Sequence, residues 1–285
     1  MTGINENIDI GIEAKDHRTV LELKDVDFGY DESHIVLHDI NLRIDEPGLY
    51  CIIGPNGVGK STMAKCVSKI VNPLKGEVLI NGRNISSMTH KEVAKVVGYV
   101  PAFSQDVFSM SVVDTIMIGR HNHRRWGSLS KDLEMVYKAM RILRITDLAD
   151  KQFNSLSSGQ HQKVSIARGL VQETDVLILD EPTANLDVKF QVYVMELLRG
   201  IAEKLGIIIL TICHDLNVTA KYSHKVIMLE RPGRIYAYGT PEEVLTEENI
   251  ERVYGIRCRV VDEGEFGVPL VILGAPIMSD EIDGT

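Results

Sequence analysis

Within nine residues the chain places Gly54, Pro55, Asn56, Gly57, Val58, Gly59, Lys60, Ser61 and Thr62. The spacing matches G-x-x-x-x-G-K-[ST]. Glycines let the backbone wrap closely, so successive N–H groups can point at phosphate oxygens. A helix opening at Lys60 adds the partial positive charge of its N-terminus. In that arrangement Lys60 would neutralise β- and γ-phosphates, and the Ser61 hydroxyl would hold Mg²⁺. The plain alternative is a chance glycine-rich turn. The apolar strand before the loop and the helical stretch after it argue against that alternative.

Three further stretches could act on the same phosphates. "VLILDE" ends a buried strand in Asp180 and Glu181. Paired carboxylates there are costly without a task. Asp180 could reach Mg²⁺, and Glu181 could polarise an attacking water as general base. "TICHDL" puts His214 just past another apolar strand. It is either an ordinary loop histidine or a γ-phosphate contact. "LSSGQHQKVSIARGL" opens a helix with Ser157, Ser158 and Gly159. That is either simple capping chemistry or a second phosphate-binding helix end, with the Ser157 hydroxyl and the Gly159 N–H as donors. One phosphate loop is already present, so the second end would serve a neighbouring molecule.

The elements that must position these groups can be read from periodicity. "VLELKDVDFGY" and "HIVLHDINLRI" alternate apolar and polar residues, which predicts an antiparallel layer near the start. "GLYCIIG" is continuously apolar, as a strand buried on both faces is, and "KSTMAKCVSKI" follows as a helix. "GEVLINGRNI" reads as a hairpin turning at Asn81-Gly82, and "VVGYV" as a strand stopped by Pro101. Residues 102 to 157 read as helical. Beyond them come a helix at Ser158 to Gln172, the strand "VLILD", a helix at Val188 to Leu205 and the strand "IIILTIC". A short helix, the strands "KVIMLE" and "RIYAYG", and a helix-rich stretch from Pro241 to Tyr254 complete the series. Alternating β and α units predict an α/β fold, a parallel sheet with helices on both faces. In that fold the strand ends carrying Asp180 and His214 share the edge where ligands collect. Residues 1–18 are expected to be a flexible tail, and residues 261–285 a short extension adding a strand or two.

Composition narrows the class. Of 285 residues, 44% are hydrophobic and 25% charged, as in a globular protein with a sizeable core. A net charge of -9 speaks against a nucleic-acid partner. The basic run "GRHNHRRWG" is either a solvated loop or a partner-facing edge. Cys51, Cys66, Cys213 and Cys258 have no C-x-x-C spacing, so neither a metal knuckle nor a redox pair is indicated. No apolar run approaches the roughly 20 residues that span a bilayer. The polar start lacks a signal-peptide core. The expected location is the cytoplasm, with any membrane contact made through a partner.

Taken in order, the motifs resemble those of ABC transporter ATPase subunits, from about Val20 to Val260. "GPNGVGKST" resembles Walker A, "VLILDE" Walker B, and "LSSGQ" the LSGGQ signature with Ser158 in place of a glycine. "ANLD" at Ala184 to Asp187 resembles the D-loop, and His214 the switch histidine. Tyr30, ending "FGY", falls where the family stacks an aromatic ring on adenine. The resemblance implies a P-loop ATPase with a helical subdomain at about 102–157. It implies two copies sandwiching two ATP molecules, each between one chain's Walker A and the other's "LSSGQ". It further implies membrane permeases as partners, an extracytoplasmic binding protein acting indirectly, and a peripheral place on the cytoplasmic membrane face. "MIGRHNHRRWGSLSKDLEMVYKAM", "CHDLNVTAKYSHKVIML" and "YGTPEEVLTEENIERVYGI" are similar to importers of iron–siderophore, heme or cobalamin type.

One position departs from the family. "GYVPAFSQ" has Ala102 where the family carries a glutamine that touches Mg²⁺ and senses the permease. Alanine neither donates nor accepts there. Gln105 takes the role, a water does, or coupling is weaker. Two rivals follow from the residues. Non-transport ABC ATPases of DNA repair, chromosome maintenance or translation usually carry a long coiled-coil insertion or two ATPase domains in one chain. Leu156 follows Ser61 by only 95 residues, and one motif set is present. A binding-only regulatory subunit is opposed by Glu181 and His214. Another cargo, such as a metal ion, stays open.

Overall fold

The computed structural model describes residues 14, 18–30, 34–102, 110–123, 129–263 and 267–277. β1 (Leu21–Gly29) and β2 (Ile35–Ile44) pair antiparallel, from Leu21 opposite Ile44 to Gly29 opposite Ile35. β3 (Gly48–Ile53) is buried at every position. It runs through the glycine loop into α1 (Lys60–Val67). The helix is shorter than its sequence suggests. The Ser68 hydroxyl donates to the carbonyls of Ala64 and Lys65, and Lys69 follows in left-handed backbone at φ 56°.

β4 (Lys75–Ile80) and β5 (Arg83–Asn84) are joined by Asn81 and Gly82, both at positive φ, as a type I′ turn requires. The hairpin joins the front layer, giving the order β2-β1-β4-β5. An unpredicted helix, α2 (His90–Val96), follows. Thr89 and Glu92 cap it reciprocally.

β6 (Val97–Val100) leads into the helical stretch. There lie α3 (Val112–Met117) and α4 (Leu129–Ile142); α5 (Ser158–Leu170) follows and ends just short of the expected Gln172. Part of the basic run is turned inward. Arg120 is 6% exposed and donates to Asp132 of α4 at 2.9 Å and to the Val171 carbonyl at 2.8 Å. A solvated-loop reading therefore fails for Arg120, while Arg124 and Arg125 lie outside the described residues.

The regular alternation resumes with β7 (Val176–Leu179), α6 (Val188–Leu205), β8 (Ile208–Ile212), α7 (Leu216–Tyr222) and β9 (Lys225–Glu230). β10 (Arg234–Gly239), α8 (Pro241–Val244), α9 (Glu247–Tyr254), β11 (Ile256–Glu263) and β12 (Val268–Pro276) complete the series. The strand or two expected after Val260 is a hairpin, with its first strand starting at Ile256.

The central sheet has the order β10-β9-β3-β8-β7-β6. Five strands are parallel, and β10 turns back antiparallel on β9. Side chains alternate between two buried layers, which is why these strands read as unbroken apolar runs. Leu49, Cys51 and Ile53 enter one layer with α3 to α9. Tyr50 and Ile52 enter the other with the front strands, α1 and Val93 of α2. The sequence pattern predicts helices on both faces; the second face is instead shared between two helices and the antiparallel sheet. No described helix is long and apolar enough to cross a membrane.

Candidate functional site

The glycine loop is forced by its neighbours. A Cβ on Gly54 would lie 2.4 Å from the Leu229 carbonyl oxygen, and one on Gly59 would lie 2.7 Å from Leu37. Both positions also have strongly positive φ. Val58 and Thr62 are buried, so they contribute backbone rather than side chain to the loop surface. The helix it opens is unusual. Side chains cap α2, α3, α5, α6, α7, α8 and α9 at their N-termini. α1 starts at Gly59 with no side-chain cap. Its first N–H groups are left for a ligand with acceptor oxygens.

Lys60 closes over this loop. Its Nζ donates to the Gly54 carbonyl at 2.7 Å and the Pro55 carbonyl at 2.9 Å. Burial pulls its pKa down, opposed by the charges of Glu181 and Asp180. Ser61 Oγ donates to Asp180 Oδ1 at 3.2 Å. Asp180 therefore stands beside the helix start, although 119 residues separate the two.

Asp180 is 6% exposed. Burial raises its pKa, opposed by hydrogen bonds from Ser61 and Tyr99 and reinforced by Glu181. Tyr99 OH donates to Asp180 Oδ2 at 3.2 Å. Glu181 lies one step beyond, at φ 51°, a left-handed backbone costing about 1 kcal/mol or more. Its Oε1 is 2.7 Å from His214 Nε2. The ends of β3, β7 and β8 thus bring Lys60, Ser61, Asp180, Glu181 and His214 to one edge of the sheet.

Ser61 Oγ and Asp180 Oδ1 are hard oxygen donors next to an uncapped helix start. They fit Mg²⁺, which takes one or two protein oxygens and completes its shell with phosphate and water.

Other candidates lie apart from this edge or at its rim. Tyr30 is 75% exposed and stands edge-on to Phe28 at 5.6 Å. It follows Gly29, which pairs with Ile35; the next residue, Val36, lies 3.2 Å from where a Cβ on Gly59 would sit. Ser157 and Gly159 do not join the loop in their own chain. Ser157 is the cap of α5, bonded both ways with Gln160. A Cβ on Gly159 would lie 3.2 Å from the Asn185 carbonyl, in the "ANLD" turn. Gln191 Nε2 steadies that turn through the Leu186 carbonyl at 3.0 Å. Ala102 is half-buried in the bend after Pro101, and Gln105 lies outside the described residues.

A family model described as "ABC transporter" matches residues 37–184, just over half of the chain. The chain belongs to the ABC transporter family. The ferric enterobactin transport ATP-binding protein of Escherichia coli is 37% identical over 243 residues, covering 84% of this chain and 89% of that protein. A solved metal-chelate type ABC transporter, in an inward-facing conformation, aligns with TM-score 0.76 and 25% identity. The alignment covers 90% of this chain and 98% of that one. A dimeric ATP-binding cassette, bound to ADP and Pi after hydrolysis, aligns with TM-score 0.70 and 27% identity, over 78% of this chain and 98% of that one. As an ABC ATPase subunit, this chain binds nucleotide and hydrolyses ATP. Cassettes of this family form dimers and work with transporter membrane components.

Sequence reasoning misses Tyr99 and Gln191 in this ABC ATPase. Gln191 lies outside the motifs; Tyr99 lies inside "GYVPAFSQ", but its link to Asp180 is found only once β6 is known to neighbour β7.

The buried carboxylate has a consequence for stability. The folded pKa of Asp180 lies above its unfolded value, so ionising it weakens the fold as pH rises through that interval, and the cost persists at neutral pH. Asp180→Asn is expected to raise the Tm of the nucleotide- and metal-free protein at pH 7. The gain should vanish near pH 3, where both states hold the proton. Thermal unfolding at the two pH values checks this.

Proposed function

We propose that this subunit powers import of a ferric siderophore or similar metal chelate by hydrolysing MgATP in a site shared between two copies. The names of its relatives favour a siderophore over the heme and cobalamin cargoes of the same group. One observation supports the chemistry above all: Lys60, Ser61, Asp180, Glu181 and His214 meet beside the uncapped start of α1.

The roles follow from the groups. The N–H groups of Gly57, Val58, Gly59, Lys60, Ser61 and Thr62 wrap the phosphates, with Gly54, Pro55 and Asn56 shaping the approach. Lys60 exchanges its carbonyl partners for β- and γ-phosphate oxygens. Ser61 and Asp180 would hold Mg²⁺, and a bound Mg²⁺ would supply charge stabilisation at the γ-phosphate. Glu181 takes the proton of the attacking water. Nε2 of His214 lies 2.7 Å from Glu181 Oε1; with nucleotide bound it turns its N–H from that carboxylate to the γ-phosphate. Tyr30 offers its exposed ring to adenine. Ser157 and Gly159 complete the site of the neighbouring copy.

Residues 19–260 form the ATPase unit on this reading. The helical stretch at about 102–157 faces the permeases at the cytoplasmic membrane surface, and the binding protein acts through them. Closure of the dimer moves these helices against the permeases. Residues 261–285 are a short extension.

Glu181→Gln keeps the shape of the side chain and removes the base. Turnover should fall by about 10² to 10⁴, with ATP affinity unchanged and an ATP-bound dimer accumulating in gel filtration. Turnover within tenfold of the parent would take Glu181 out of its role. For the cargo, deleting the gene should abolish growth on a ferric siderophore as sole iron source and spare growth on ferrous salts. Unchanged growth on every siderophore offered would remove the cargo assignment.

A further inference from the structure

Tyr99 is a polar group at the site with no part in the hydrolysis scheme. It lies on β6 opposite Ile178 of β7, with its ring packed on the apolar layer shared with the front sheet. The Asp180 N–H donates to the Val100 carbonyl at 2.8 Å, so the backbones of the two strand ends are pinned together. The Tyr99 hydroxyl then reaches Asp180 Oδ2, while Ser61 reaches Oδ1, each at 3.2 Å. The two oxygens of this carboxylate are therefore inequivalent. Oδ2 is engaged from the β6 side, and Oδ1 faces the hydroxyl at the start of α1. A carboxylate gripped at one oxygen cannot swing about its last torsion, and its free lone pairs stay aimed.

We propose that Tyr99 is a positioning residue for the cation site, holding Asp180 so that Oδ1 faces the Mg²⁺ shared with Ser61 and the nucleotide phosphates. This rests on the assignment of Ser61 and Asp180 to Mg²⁺. It also gives β6 a polar link to the cation. Val97, Gly98 and Val100 have no polar side-chain atom, and Ala102, just beyond Pro101, has none either.

The test uses the full chain and three proteins: the parent, Tyr99→Phe and Asp180→Asn. Affinity for the non-hydrolysable analogue AMP-PNP is measured once with EDTA and once with saturating Mg²⁺, and the ratio gives the gain due to metal. Tyr99→Phe keeps the ring and removes the hydroxyl. It should lose about tenfold of that gain, with affinity in EDTA within twofold of the parent. Asp180→Asn should lose the gain altogether. If Tyr99→Phe keeps the gain while Asp180→Asn loses it, Tyr99 is not a positioning residue and the metal assignment stands. If Tyr99→Phe weakens binding equally with and without Mg²⁺, its role is structural and the proposal is overturned. If Asp180→Asn also keeps the gain, the metal assignment itself fails and the proposal with it.

Discussion

A helix that begins without a side-chain cap leaves its first N–H groups in need of acceptors. α1 is such a helix, in a chain whose other α-helices with described N-caps are capped by Ser, Thr or Asp. The rest of the fold is arranged about that end. Gly54 and Gly59 are glycine because Leu229 and Leu37 leave no room for a Cβ. Lys60 is held down onto its own loop carbonyls. The parallel order of β3, β8, β7 and β6 then delivers the acidic strand end of β7 to the same place. The cost is a buried carboxylate whose pKa burial raises. A cation bound at Asp180, as proposed, would offset that cost.

What can be read from the residues alone is what depends on local spacing. The glycine loop, the acidic strand end and the Asn81-Gly82 turn are each set by a few adjacent residues. Periodicity shows the doubly buried strands because both faces of the central sheet are covered. Pairing over long distances stays hidden. That β10 runs antiparallel is a property of its hydrogen bonds to β9, not of "RIYAYG". Tyr99 and Asp180 are 81 residues apart. Arg120 reads as part of a solvated basic run; its partners Asp132 and Glu173 come from other parts of the chain. α2 escapes a periodicity search although Thr89 and Glu92 spell out a capping box, because a seven-residue helix shows little periodicity.

The site is also lopsided. Everything expected to touch the β- and γ-phosphates from one side is gathered at one sheet edge. Ser157 and Gly159, the other phosphate-binding candidates, belong to a cap closed on itself and packed on the "ANLD" turn. A second copy would bring that cap to the open face of the loop. On the proposed reading each chain would contribute half of two sites, and hydrolysis would require the pair.

That shared site is the central claim, and mixed dimers test it directly. One dimer has Lys60→Ala in one chain and Ser157→Glu in the other. A second has both changes in one chain beside an unchanged partner. The readout is the number of ATP molecules retained per dimer after rapid gel filtration. A site shared across chains predicts one ATP in the first dimer and none in the second. The reverse pattern, none in the first and one in the second, would mean that each chain holds a complete site.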